Sequence, residues 1–104
     1  MALRRAAVAG TWYPATAAAL TRQVQSCLDQ AEHENGDGET ALPADADVLA
    51  LVAPHAGLMY SGPVAAHAYA LLGMRHYQSI VLVGPSHHVG FVGASIWPAG
   101  AFAG

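Results

Sequence analysis

The chain alternates between segments with two different periods. Across residues 15–31, Leu20, Val24, Cys27, Leu28 and Ala31 recur at three- and four-residue spacings and share one helical face. Arg22, Gln23, Gln25, Asp29 and Gln30 fall mainly on the other faces. Thr16, after Pro14, stands where an N-cap belongs, so the spacing predicts a helix beginning there. Cys27, inside the apolar stripe, reads as a small buried hydrophobe. Residues 48–53 (VLALVA) and 80–83 (IVLV) are instead solidly apolar. Runs of that kind read as strands covered on both faces, as in a parallel sheet. Between them, Ser61 and Pro63 suit the start of a second helix, with Ser61 as its cap. Val64, Ala68, Leu71 and Leu72 would form its apolar face, with Gly73 as its stop after about Leu72. Strand, helix and strand over this length predict a βαβ unit. Residues 94–97 are candidates for one more short strand.

Residues 32–47 (EHENGDGETALPADAD) have no periodic apolar face and are rich in turn formers, which predicts an acidic surface loop with a solvated His33. All seven acidic residues of the chain lie between Asp29 and Asp47. There is no lysine, and the four arginines are Arg4, Arg5, Arg22 and Arg75. Phosphate neutralisation needs basic side chains, so a nucleic-acid partner is not expected. Nor does Arg4 with Arg5 make a membrane patch. Of the 104 residues, 54% are hydrophobic and 11% charged, against about 25% charged in an ordinary soluble domain. A surface so poor in charge implies cover: the rest of a longer polypeptide, or self-association into an oligomer. A single cysteine excludes an internal disulfide and fits a reducing compartment. The N-terminus lacks the apolar core of a signal peptide, and no apolar stretch has membrane-spanning length. These features together predict a cytoplasmic protein.

The chemistry lies at the ends of the two apolar runs. His55 follows the first by two residues, and His87 follows the second after Gly-Pro-Ser. In a βαβ unit both strands end on one edge of the sheet, where open α/β sheets bind ligands. Neighbouring strands lie about 4.8 Å apart, so two imidazoles there can reach one metal ion, at about 2.0–2.1 Å for zinc. Pro54 and Pro85 restrict the backbone ahead of each histidine. His88 points away from His87 in an extended segment, so at most one of that pair faces the site. The competing reading of each histidine is a hydrogen-bonded loop residue. A 2-His-1-carboxylate iron site or a catalytic zinc site also needs a third ligand. No Asp or Glu follows Asp47, which leaves His88 or the acidic loop as the local sources. His67, beside the apolar face of the second helix, reads as structural, and His76 has no special context. A hydrolase using Ser86 or Ser61 as nucleophile would need an orienting acid and a G-x-S-x-G turn, and neither occurs.

Four passages in order resemble the Memo family, called AmmeMemoRadiSam system protein B in bacteria: AGTWYP (residues 9–14), PHAGLMYSG (54–62), AAHAY (65–69) and VGPSHHVG (83–90). The resemblance covers most of residues 1–104 outside the acidic loop at 32–47, and corresponds to the N-terminal portion of a single Memo-like domain. It implies an α/β fold, the βαβ-containing portion of a class III extradiol dioxygenase-like (LigB-like) sandwich. His55 and His87 match the family histidines facing a metal-type site. Trp12 and Tyr60 match aromatic residues lining the pocket, with His88 beside them. The implied cofactor is non-haem Fe(II), with Cu or Zn as alternatives, and the implied chemistry is oxidative. The remaining ligand of the family, a cysteine in some members, and a further histidine belong to its C-terminal part, so a truncated product or fragment is expected, inactive alone. The alternative from the same residues is a non-catalytic module that captures a small molecule or peptide.

Overall fold

A computed structural model describes residues 1–36, 42–43, 45–73 and 75–103. Its elements are β1 (Leu3–Arg4), α1 (Ala17–Gly36), α2 (Leu58–Ala70) and β2 (Ala101–Phe102). They fall into two compact units, Ala7–Met74 and Met1–Ala6 with Arg75–Gly104.

The first unit is a helix pair. Thr16 caps α1: its Oγ1 accepts the Ala19 N–H at 3.3 Å, and its carbonyl accepts the Leu20 N–H at 2.9 Å. Such a cap satisfies donors that have no partner within the helix. On the exposed face, Gln25 donates to Asp29 at 2.6 Å and Gln30 to Glu34 at 2.9 Å, both one turn apart. Leu20, Cys27 and Leu28 of the expected stripe are half-buried, and Ala31 is buried. The helix continues past Ala31 to Gly36, which corrects the expected loop over its first five residues. The extension is held by contacts from Glu34 and Asn35 to His67 of α2. Residues 37–41 and 44 of that loop lie outside the described residues. In the remainder, the Ala46 N–H donates to the Pro43 carbonyl at 3.0 Å.

Helix α2 starts at Leu58, three residues before the expected cap. Ser61 is not that cap. It is buried, and its hydroxyl donates back to the Ala56 carbonyl at 2.9 Å. Gly57 occupies the N-cap position without a side-chain bond. The Leu58 N–H is taken up instead by the carbonyl of Trp12, at 2.7 Å. Pro63 therefore lies inside the helix, where it removes the bond to the Met59 carbonyl. The helix ends at Ala70, two residues before the expected end near Leu72: Leu71 and Leu72 donate to the Ala68 and Tyr69 carbonyls in a closing turn, and Gly73 takes φ +35°.

The buried face of α2 is Ser61, Gly62, Ala65 and Ala66, while Val64 is exposed. This corrects the larger apolar face expected from sequence. Small residues let two helix backbones approach closely. A Cβ built on Gly62 would stand 3.0 Å from Leu58 Cδ1 and 3.4 Å from Cys27 Sγ. Cys27 is half-buried there and packs as a hydrophobe.

In the second unit β1 and β2 pair in parallel, Leu3 with Ala101 and Arg4 with Phe102. Ala101 N–H donates to the Ala2 carbonyl at 2.9 Å, and Ala103 N–H to the Arg4 carbonyl at 2.8 Å. The Arg4 guanidinium lies 5.6 Å from the Trp97 ring and 5.5 Å from the Phe102 ring. Gly100, at φ +105°, feeds β2 into this ladder, and a Cβ there would collide with the Ala2 carbonyl.

Residues 48–53, 80–83 and 94–97 form no strand among the described residues, which departs from the expected βαβ unit. A parallel strand is stable with a hydrogen-bonded neighbour and cover on both faces. Here Leu49 and Val52 are 94% and 98% exposed, and Ile80, Val81, Leu82 and Val83 are exposed as well. No described helix is long and apolar enough to cross a membrane.

Candidate functional site

The first unit brings Trp12 and the turn before α2 together. Residues 8–13 form a tight loop: Thr11 and Trp12 donate their N–H groups to the Val8 carbonyl at 3.1 and 3.0 Å, and Gly10 donates to Tyr13 at 2.7 Å. Gly10 takes φ +85°, which only glycine adopts without strain. The loop aims the Trp12 carbonyl at the first N–H of α2. Gly57 lies under the same carbonyl, since a Cβ there would be 3.5 Å from Trp12 O and 3.5 Å from Tyr60 Cδ2. Two sequence passages, residues 9–14 and 54–62, thus meet at one backbone hydrogen bond. Tyr60 is 77% exposed and Trp12 52%, so both rings present apolar surface to the outside. His55 is exposed in the turn that leads into them.

His87 and His88 belong to the second unit. Both are exposed, with ring centroids 6.5 Å apart and planes tilted by 56°. Ser86 closes their turn by donating its hydroxyl to the Val89 carbonyl at 2.6 Å. The hydroxyls of Ser86 and Ser61 are thus both committed to backbone carbonyls. Neither is donated to a histidine, the arrangement a serine nucleophile requires.

Among the described residues, no group of three or more His, Cys, Asp or Glu side chains is placed to hold an ion. The expected imidazoles are divided, with His55 in one unit and His87 and His88 in the other. Zinc or non-haem iron sites take at least three protein ligands.

His67, read from sequence as structural, is so: its ring bonds to Asn35 and Glu34 of α1. The role of Trp12 as a backbone acceptor for α2 has no sequence signal, because any residue supplies a carbonyl.

Comparison with known proteins gives this architecture its family. The family model for Memo-like proteins matches residues 4–103. A MEMO1 family protein of Methanothermobacter thermautotrophicus is 42% identical over 104 residues, spanning 96% of this chain and 36% of that protein. One from Aeropyrum pernix is 36% identical over 110 residues, covering 98% of this chain and 37% of its own length. Protein MEMO1 of Danio rerio is 35% identical over 99 residues, covering 95% and 30%. No solved structure matches. The chain belongs to the Memo family. It spans about a third of the length of these relatives.

Proposed function

We propose that this chain contributes one part of a Memo-type ligand site, with His55 and His87 as imidazole donors and Trp12, Tyr60 and His88 as its walls. The observation that carries the reading is the packing of Trp12 and Tyr60 around Gly57, where the Trp12 carbonyl takes the first N–H of α2 two residues after His55 in sequence. That bond fixes where α2 begins, and hence where the turn bearing His55 departs. The exposed side chains of Leu49, Val52 and residues 80–83 support the larger α/β sandwich of the dioxygenase-like class. They are surfaces that further strands would cover. In that setting the remaining ligand comes from polypeptide beyond these residues. The favoured ion is Fe(II), with Cu or Zn as alternatives, and it would supply oxidative chemistry.

The test is a chimera in which residues 1–104 replace the matching third of the Methanothermobacter relative. Elemental analysis after anaerobic loading with Fe(II) should give near-stoichiometric metal. His55→Ala and His87→Ala should each lower it at least about tenfold, since loss of one of three ligands removes a direct bond to the ion. Equal metal in the chimera and both variants refutes the assignment. The second reading, capture of a peptide or small molecule without metal, is favoured by the exposure of Trp12 and Tyr60. It predicts ligand-dependent quenching of Trp12 fluorescence that survives chelation.

A further inference from the structure

We infer that Ser61 is a positioning residue for the His55 imidazole, acting through the turn between that histidine and α2. The inference rests on the reading of His55 as a donor of the ligand site. Ser61 is 9% exposed, on the face of α2 that it shares with Gly62, Ala65 and Ala66. Packing on that face asks for small size, and alanine is small and the better helix former. Packing therefore does not account for the hydroxyl, and neither does capping, since no side chain caps α2. Its use is the bond it donates to the Ala56 carbonyl at 2.9 Å. The donor is carried by a packed helix, so the carbonyl it holds is fixed relative to that helix.

Ala56 directly follows His55. The residues after it are held as well. The Gly57 carbonyl accepts the Tyr60 and Ser61 N–H groups at 2.8 and 3.1 Å, and the Leu58 N–H donates to the Trp12 carbonyl at 2.7 Å. On the other side of His55, the ring of Pro54 locks its own φ. His55 thus stands between a proline and a peptide tied down by a side chain five residues on. A donor bracketed in this way has less freedom to lose when an ion or ligand engages it, and affinity gains accordingly. Ala56 is exposed, so solvent can satisfy its carbonyl when the hydroxyl is removed. Loss of Ser61 should therefore loosen the turn and weaken binding while α2 keeps its place.

The experiment uses the Methanothermobacter chimera with Ser61→Ala and Ser61→Thr. It reads the apparent Fe(II) Kd, by anaerobic competition with a chelator, beside Tm. Ser61→Ala should raise Kd at least about tenfold, with Tm lowered by less than about 4 °C. Ser61→Thr keeps the hydroxyl and should recover the affinity. Parental Kd in Ser61→Ala, beside loss of metal in His55→Ala, overturns this inference and leaves the assignment of His55 standing. Parental Kd in His55→Ala overturns both. A rise in Kd that the threonine variant shares in full marks a packing effect and also overturns the inference. A metal-free measurement on the 104-residue chain serves if the chimera variant does not fold. The backbone amides of His55 and Ala56 should fall in Ser61→Ala from the rigid order parameter of about 0.85 towards about 0.6, and unchanged order there overturns the inference.

Discussion

Gly62 offers a test of how α1 and α2 meet, because two opposing effects there have comparable size. Replacing a helical glycine by alanine gains about 1 kcal/mol of helix propensity. The new Cβ would lie 3.0 Å from Leu58 Cδ1, 3.3 Å from Leu58 Cγ and 3.4 Å from Cys27 Sγ. The sulfur contact is ordinary van der Waals distance. Leu58 is the near neighbour, and its side chain belongs to the same helix, so it yields by a rotation costing about 0.5–1.5 kcal/mol. Gly62→Ala should therefore change stability by no more than about 0.5 kcal/mol either way, the gain and the cost offsetting. Gly62→Val is different. Its two γ-carbons extend past the contact already made with Cys27, and α1 is backbone-anchored at Thr16 and clasped at its other end. Overpacking of this kind costs about 1–3 kcal/mol. In a domain of this size that lowers Tm by at least about 4 °C. Thermal unfolding followed at 222 nm separates the two variants. If Gly62→Val melts with Gly62→Ala, α1 does not seat on this glycine and the helix pair described above is wrong.

Two further outcomes follow from particular hydrogen bonds. Thr16→Ala removes the side-chain acceptor at the start of α1 and should cost about 0.5–1 kcal/mol, the lower part of the N-cap range, because the bond is long at 3.3 Å. Unchanged Tm would show that water replaces the cap. Gly100→Ala places a Cβ against the Ala2 carbonyl at a backbone angle that alanine resists by about 1–3 kcal/mol. The β1–β2 ladder rests on two flanking hydrogen bonds and the Arg4 ring contacts, so it should open. Loss of exchange protection at Ala101 and Ala103, with the α1 and α2 amides unaffected, is the expected pattern, and retained protection at both would refute it.

What the sequence disclosed follows the range of the forces involved. The start of α1 was legible because its determinants are local: Thr16 three residues before Ala19, and a stripe of which Leu20, Cys27, Leu28 and Ala31 are covered and Val24 is exposed. The stop at Gly73 was legible for the same reason. The last turn of α1 was not, because Glu34 and Asn35 are held by His67, 32 residues beyond Asn35. In isolation, that turn has the composition of a loop. Ser61 misled in another way. A hydroxyl at a helix start has two uses, and here it closes the turn onto Ala56 rather than capping α2. The β1–β2 ladder has two residues per strand at opposite ends of the chain, too short to show a period.

The apolar runs carry a separate lesson about what hydrophobic pattern encodes. Residues 80–83 have the β-branched composition of a buried strand, yet Val83 is 91% exposed and no ladder forms there. Strand propensity is largely a measure of fit to neighbours on a half-buried surface. It therefore states a demand for partners rather than a property of the segment. The same holds for the site. Trp12 and Tyr60 are placed by short-range geometry around the start of α2, which the chain completes by itself. Convergence of His55 with His87 on one sheet edge requires residues 48–53 and 80–83 to be paired as parallel strands. The Memo-family chimera is the setting that tests both demands, for strand neighbours and for a third ligand, together. If metal retention and strand formation at those segments appear in it together, the apolar runs and the histidines belong to one construction, in which the sheet edge brings the imidazoles to the ion.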